Sequence, residues 1–242
     1  MATDSGMEAL SSSPQHGFRG YETQSSPPLI PRGLTIAISR EAGARGGTIG
    51  RRVARQLAWQ LYDQELLEYL SKEGDLLQEL DPSLREPARE WMEQQQTELR
   101  IRRNLSDSQV AQSMSQLAMQ LAVQGNCVVI GRGVGFLLPP ETTLHVRLVS
   151  PLEERVPYLS QWLRLTPEEA RERAIIRDAR RAEHVKSTLN CQVGDVYEYD
   201  LVLCSSRLGE DLCVELMLQA ASVKILSRWP MPEEGASREI EQ

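Results

Sequence analysis

The stretch with the strongest chemical signal reads SREAGARGGTIG and covers residues 39–50. Gly43, Gly46 and Gly47 carry no side chain, so backbone N–H groups at these positions can approach a phosphate closely. The stretch follows the short apolar run Leu34–Ser39 and leads into a helical pattern, whose N-terminus favours anions through its free N–H groups and its dipole. The spacing predicts a phosphate-binding loop. An ordinary glycine-rich turn between a strand and a helix is the alternative.

The loop departs from the usual phosphate-loop motif, because Gly46 stands where a lysine is expected. Arg45 directly precedes this glycine, and Arg40 lies at the end of the preceding strand. Since arginine can also place a positive charge on a phosphate, Arg45 or Arg40 is predicted to replace the lysine. Thr48 lies at the start of the predicted helix, where its hydroxyl could cap the helix or bind Mg²⁺.

A second basic position is Arg132, which lies between two glycines after the buried-type strand Asn126–Ile130. Open α/β sheets bind their ligands beyond the carboxyl ends of their strands. We therefore expect Arg132 to contact a ligand rather than to serve only as a turn residue.

A third set of arginines lies in one helical segment. Arg173, Arg177 and Arg181 are spaced i, i+4, i+8 and share one helix face, with Arg180 at its border. Phosphoryl transfer depends mostly on positioning and on neutralisation of charge. Arg177, Arg180 and Arg181 are therefore candidates for neutralising the charge of a phosphate group, and Arg171 is assigned to the solvated face. The alternative is that the whole set lies on a solvated face balanced by nearby glutamates.

The elements that must position these groups alternate between strands and helices. Apolar runs predict strands at Leu34–Ser39, Gln60–Asp63, Asn126–Ile130, Thr143–Val149 and Tyr199–Ser205. Helical patterns cover Thr48–Leu57, most of Gln64–Gln124, Glu168–His184 and Leu212–Leu226. Capping-box signatures stand at Ser150–Glu153 and Thr166–Glu169. The order implies a three-layer α/β fold with a parallel sheet covered by helices on both faces.

Composition bounds the class of protein. The chain has 242 residues and a net charge of −7, which argues against an extended nucleic-acid surface. It contains no apolar run long enough to cross a membrane, and its four cysteines form no C-x-x-C pair that would suggest structural zinc. We expect a cytoplasmic protein with one domain at 33–226, flanked by disordered extensions at 1–32 and 227–242 that are rich in polar residues and proline.

Five sequence blocks resemble, in order, the cytidylate kinase-like family of P-loop nucleoside monophosphate kinase folds. The first is ISREAGARGGTIGRRVARQLAWQLYD at residues 38–63. The others are GRGVGFLLP (131–139), LVSPLEERV (148–156), RDARRAEHV (177–185) and YDLVLCSSRLG (199–209). Together they extend over about Leu34–Leu226.

This resemblance implies ATP-dependent phosphoryl transfer to a small acceptor, with ATP and Mg²⁺ as cofactors and a nucleoside monophosphate such as CMP as the acceptor. The loop Gly43–Thr48, including Ala44, would hold the donor phosphates, and Thr48 would help to hold Mg²⁺. Arg132 would contact the acceptor, and helices in 64–124 would cover it. Residues 166–190 would form a lid-like region. Asp63, at the end of its strand, is a further candidate for acceptor or water-mediated Mg²⁺ contact.

Two departures from the family pattern leave other functions open. The sequence reads GRG at Arg132 where cytidylate kinases read GRD, and Gly46 replaces the lysine. One alternative is therefore a nucleotide-binding or regulatory module with weak or no turnover. Another is a kinase for a different small hydroxylated metabolite. His145 and His184 have no partner in the sequence pattern that would suggest a catalytic role.

Overall fold

The computed structural model describes residues 30–228, and most of the two predicted extensions lies outside this range. At the N-terminal side, Pro31 is buried, and the Arg32 N–H donates to the Val123 carbonyl at 3.4 Å. At the other end, helix continues to Arg228. The structured region therefore extends a few residues beyond 33–226 on both sides.

Five parallel strands form one sheet. They are β1 (Thr35–Arg40), β2 (Gln60–Tyr62), β3 (Cys127–Ile130), β4 (Thr143–Val149) and β5 (Leu201–Cys204), and their order in the sheet is β2-β3-β1-β4-β5. β1 is central and pairs with β3 and β4. The five predicted strands are confirmed, with ends that differ by no more than two residues.

Seven α-helices connect and cover the strands within the described residues. They are α1 (Gly46–Leu57), α2 (Gln64–Glu73), α3 (Pro82–Arg103), α4 (Gln109–Gln124), α5 (Leu152–Leu163), α6 (Pro167–Leu189) and α7 (Ser205–Arg228). α7 begins earlier than predicted, at Ser205, and is interrupted at Gly209, where φ is 76°. None of these helices combines the length and apolar character of a membrane-spanning segment.

Alternation along β1 divides the core into two layers. Ile36 and Ile38 pack with residues of α1 and α7, such as Val53 and Met217, on one face of the sheet. Ala37 points to the other face, where α2, α3 and α4 supply the packing partners. Both faces of the sheet are therefore covered by helices, and the predicted three-layer α/β architecture is confirmed.

The helices α5 and α6 pack on each other and form a smaller core of their own. Val156 and Leu159 of α5 pack with Ala170 and Ala174 of α6, and the buried Ala42 of the loop after β1 belongs to the same cluster. The loop after β1 is thus packed against the α5–α6 pair.

The two predicted capping boxes have different outcomes. At α6, Thr166 Oγ1 accepts from the Glu169 N–H (3.3 Å) and the Glu169 carboxylate accepts from the Thr166 N–H (2.8 Å), as predicted. At α5 the prediction is wrong, because Pro151 is the N-cap and no side chain of residues 30–228 caps the helix. The Ser150 N–H donates instead to the Glu41 carboxylate at 2.9 Å, which ties β4 to the loop.

Replacing the capping residue of α6 should lower stability measurably. Thr166→Ala removes an acceptor for the first turn of α6 and should cost about 1 kcal/mol, or about 2–4 °C in melting temperature. Ser150→Ala is the matched control, because its hydroxyl caps no helix, and it should shift the melting temperature less. Equal shifts in calorimetric melting of the two variants would show that the capping assignment is mistaken.

Candidate active site

The loop between β1 and α1 turns through two residues with positive φ. Gly43 has φ 85°, and Arg45, the N-cap of α1, has φ 56°. α1 begins at Gly46, two residues earlier than predicted, so Thr48 lies inside its first turn and its N–H donates to the Arg45 carbonyl at 3.0 Å. The loop therefore ends directly on a helix N-terminus, as the sequence predicts.

Four N–H groups of this loop donate to no protein acceptor within residues 30–228, namely those of Gly43, Arg45, Gly46 and Gly47. The last two belong to the first turn of α1, where a helix cannot satisfy its own donors. The intervening N–H of Ala44, in contrast, donates to the Glu41 carbonyl at 3.2 Å. A set of free donors at a helix N-terminus is the arrangement that binds phosphate.

A carboxylate of α6 holds the loop in place. Asp178 accepts from the Ala42 N–H at 2.7 Å, and the buried Arg155 of α5 donates to the Ala42 carbonyl at 2.9 Å. Arg155 also pairs with Asp178 at 2.5 Å. One further contact runs from Arg181 to the Arg40 carbonyl at 3.3 Å. α6, in the predicted lid-like region, is thus bonded to the loop.

A cavity of about 310 Å³ opens at the carboxyl ends of β1, β3 and β4, with α6 as one wall. Four arginines line it, namely Arg40, Arg132, Arg147 and Arg181. Other members of its lining are Ser39, Glu41, Phe136, Asp178, His184 and Val185. The structure brings together three arginines that the sequence singled out and adds Arg147. We call this cavity the cleft.

The two candidates for the loop cation lie in different places. Arg40 lines the cleft, and burial, followed by the nearby charge of Arg181, lowers its pKa to about 10. Arg45 is about half exposed and pairs with Glu210 of α7 at 2.8 Å. Its guanidinium also lies 4.8 Å from the centre of the Tyr158 ring. The geometry therefore places Arg45 outside the cleft.

The two residues predicted to contact the acceptor also lie in different places, since one lines the cleft and the other does not. Arg132 lines the cleft, pairs with Glu68 of α2 and has a buried Nε without a protein partner among the described residues. Asp63 is outside the cleft lining and caps α2 by accepting from the Leu66 N–H at 3.1 Å.

Of the remaining arginines of α6, Arg177 and Arg180 lie outside the cleft lining and form no ion pair with another described residue. Arg171 forms an exposed pair with Glu153 of α5, in agreement with its assignment to the surface. Only Arg181 of the predicted lid set therefore reaches the cleft.

The two carboxylates of the cleft are already bonded to the protein. Glu41 accepts from the Ser150 N–H at 2.9 Å and lies 3.8 Å from both Arg147 and Arg155. Asp178 is held by the loop and by Arg155. Neither carboxylate is left without a donor, which limits what either can do as a base.

His145 lies beneath the cleft as a neutral, buried side chain. Burial lowers its pKa to about 4. Nδ1 lies 2.7 Å from the Glu198 carbonyl, which can only accept, so Nδ1 carries the proton and Nε2 accepts from the Ser39 hydroxyl at 3.0 Å. His145 thus positions Ser39 from below. Burial also lowers the pKa of His184, which lines the cleft.

A bound Mg²⁺ would need most of its ligands from phosphate and water. Within the described residues there is no group of three or more His, Cys, Asp or Glu side chains that could hold a metal ion. Thr48 lies in the first turn of α1, and its hydroxyl has no protein hydrogen bond in that range. These residues fit Mg²⁺ that arrives with a nucleotide, since Mg²⁺ commonly keeps waters and phosphate oxygens.

Comparison with known proteins identifies the family. A model described as the cytidylate kinase-like family matches residues 35–207, which is more than half of the chain. The chain belongs to this family. A comparison with curated protein sequences finds no significant match.

Solved structures are similar in fold at low sequence identity. An uncharacterized protein from Eubacterium ventriosum ATCC 27560 is 15% identical with a TM-score of 0.59, over 78% of this chain and 98% of that chain. A shikimate kinase from Bacteroides thetaiotaomicron is 14% identical with a TM-score of 0.43, over 78% and 97% of the two chains. Membership of the cytidylate kinase-like family and the parallel sheet covered by helices on both faces together show a three-layer P-loop α/β fold.

Three site residues of this cytidylate kinase-like protein were missed in the sequence. Arg147 could have been found in the sequence, because it is a charged residue near the carboxyl end of the mostly buried strand β4. Nothing in the sequence pointed to Glu41 or Arg155, except that each lies in a block that resembles the family. Their roles depend on contacts between β1, β4 and α5 that no local pattern reveals.

His145 should make stability depend on pH between about 6.5 and 4. A histidine in the unfolded chain has a pKa of about 6.5, so as the pH falls the unfolded state binds a proton that the folded state excludes. The stabilisation is complete above about pH 6.5 and falls by up to about 1.4 kcal/mol per pH unit down to about pH 4. Denaturant unfolding of wild type and His145→Asn should show a shallower slope for the variant, and parallel slopes would contradict this.

Proposed function

We propose that the protein transfers the γ-phosphoryl group of ATP to a nucleoside monophosphate. The observation that carries this proposal is the meeting of two anion-binding features at one sheet edge. Four free N–H groups of the loop lie beside a cleft lined by four arginines. Phosphoryl transfer needs little covalent chemistry from a protein and depends on positioned positive charge, which this edge supplies.

The donor phosphates would occupy the loop. The N–H groups of Gly43, Arg45, Gly46 and Gly47 would bind phosphate oxygens, and the dipole of α1 would favour their negative charge. Thr48 would contribute its hydroxyl to the Mg²⁺ that accompanies the nucleotide.

The charge of the cleft favours an anionic acceptor. Four guanidinium groups face two carboxylates in its lining, and Glu41 and Asp178 are already engaged by backbone N–H groups and arginines. A neutral hydroxyl acceptor would need a carboxylate or another base to take its proton. A phosphate monoester is already ionised near neutral pH, since its second pKa is about 6. The cleft therefore favours a monophosphate over a neutral hydroxylated metabolite.

A nucleotide-binding module without turnover is the second candidate, and one observation favours it. Position 46 is glycine rather than lysine, and Arg45 is paired with Glu210 outside the cleft. Such a protein would bind Mg·ATP through the loop, yet the transferring group would lack the usual cation.

Matched acceptors separate these functions. ATP consumption should be measured with nucleoside monophosphates and, in parallel, with the corresponding nucleosides, which lack only the phosphate. We expect turnover with at least one monophosphate and none with its nucleoside. Tight Mg·ATP binding without turnover on any acceptor would support the module, and turnover with a neutral alcohol would refute the argument from the engaged carboxylates.

The arginines of α6 should differ in their effect on turnover. Arg181→Ala removes a cleft charge and should lower the single-turnover rate by roughly 10²-fold or more. Arg177→Ala and Arg180→Ala should have smaller effects because these side chains lie outside the cleft, and Arg171→Ala, at the surface, is the control. If all four variants lose the same activity, or if only ATP affinity changes, α6 does not act on the transferring group.

A further inference from the structure

We infer that the cation of the phosphate loop has changed place with a glycine, so that Arg40 supplies the charge and Gly46 leaves room for it. This inference rests on the proposed binding of a nucleotide triphosphate by the loop. It names one residue for a role that the sequence left open between Arg40 and Arg45, and it explains why position 46 is glycine.

The spacing of the two residues matches the usual motif with its residue types exchanged. In G-x-x-x-x-G-K-[ST], the lysine follows the first glycine by six positions. Arg40 and Gly46 are also six positions apart, with the basic residue first and the glycine second.

The stem of Arg40 fills the space that a side chain at position 46 would need. A Cβ atom added to Gly46 would lie 2.8 Å from Cβ and 2.9 Å from Cγ of Arg40, closer than real side chains approach. A Cβ added to the adjacent Gly47 would lie 3.7 Å from its nearest neighbour, an Arg51 Nη atom. Position 47 is therefore open to a side chain, whereas position 46 is closed by Arg40.

The guanidinium of Arg40 lies over a second glycine at the end of β3. A Cβ added to Gly131 would lie 2.2 Å from Nη1 of Arg40, and Gly131 has φ 98°, which other residues rarely adopt. Gly46 and Gly131 thus leave a path along which the side chain passes from the strand end, beside the loop, into the cleft. Arg45 leaves the loop in another direction, towards Glu210.

The charge of Arg40 is not balanced by a direct protein partner. Within residues 30–228 its guanidinium forms no ion pair or hydrogen bond, although Asp63 lies near enough to exert an attraction. Its neighbour in the cleft, Arg181, carries the same sign of charge. A side chain that is largely buried, charged and unpaired, beside four free N–H groups, is poised for a polyanion.

Binding of Mg²⁺ with ATP, and separately of inorganic tripolyphosphate, tests this exchange. Arg40→Gln keeps the stem but removes the charge, and it should weaken binding of both ligands by roughly 10- to 100-fold, as for loss of a hydrogen bond to a charged group. Arg55→Gln, on the exposed last turn of α1, removes the same charge away from the cleft and should leave binding within about twofold.

The double variant Arg40→Gly/Gly46→Lys restores the first glycine and the lysine of the usual motif and supplies the sharper test. Gly46→Lys alone should lose stability and affinity, because its Cβ meets the stem of Arg40. The double variant should recover both, to within several-fold of wild-type affinity. In melting experiments without ligand, Gly46→Ala should be destabilising, Gly47→Ala should not, and Arg40→Gly should relieve the effect of Gly46→Ala.

Each unexpected result of these experiments leads to a different conclusion. Wild-type affinity in Arg40→Gln, or a double variant that binds no better than Gly46→Lys alone, overturns the exchange even if the protein is an active kinase. Dependence of binding on Arg40 without turnover on any acceptor supports the exchange and contradicts the proposed kinase activity. Absence of binding of either polyphosphate to the wild type contradicts both.

Discussion

The contact on which the site depends is the bond between the Asp178 carboxylate and the Ala42 N–H. It joins the loop after β1 to α6 over 136 positions of the chain. Arg155 completes the junction from α5 by binding both Asp178 and the Ala42 carbonyl. Arg155 is buried, and loss of Asp178 would leave it only the more distant Glu41 carboxylate at 3.8 Å. Breaking a buried ion pair by removing one partner typically costs about 3–5 kcal/mol. The loop and α6 therefore behave as one unit.

This junction changes how the arginines of α6 can act. A lid that swings over the phosphates would have to break the bonds of Asp178 and Arg181 to the loop backbone. The structure shows instead a cleft whose positive wall is already assembled beside the free N–H groups. Such preorganised charge is the main contribution of a protein to phosphoryl transfer, since it needs no rearrangement when the transition state forms. The arginines of the cleft carry like charges and repel one another until an anion binds.

The sequence predicted the fold well because its signals are local. Buried strands appear as apolar runs, and the box at Thr166 forms within four residues. The site was predicted only in part, since the glycine loop and Arg132 lie in recognisable turns, whereas the directions taken by Arg40 and Arg45 depend on neighbours far along the chain. Gly131 leaves room for the guanidinium of Arg40, and Glu210 forms an ion pair with Arg45. The failed capping box at Ser150 has the same cause, because Glu41 takes its N–H.

The proposed function requires that the loop N–H groups bind the phosphates of a nucleotide. Amide chemical shifts of the ¹⁵N-labelled protein, titrated with Mg·ATP, test it most directly. We expect the largest changes at the amides of Gly43, Arg45, Gly46 and Gly47. The Ala42 and Ala44 amides, which have protein acceptors, should change less. Saturable changes confined to another surface, with the loop amides unaffected, would contradict the claim.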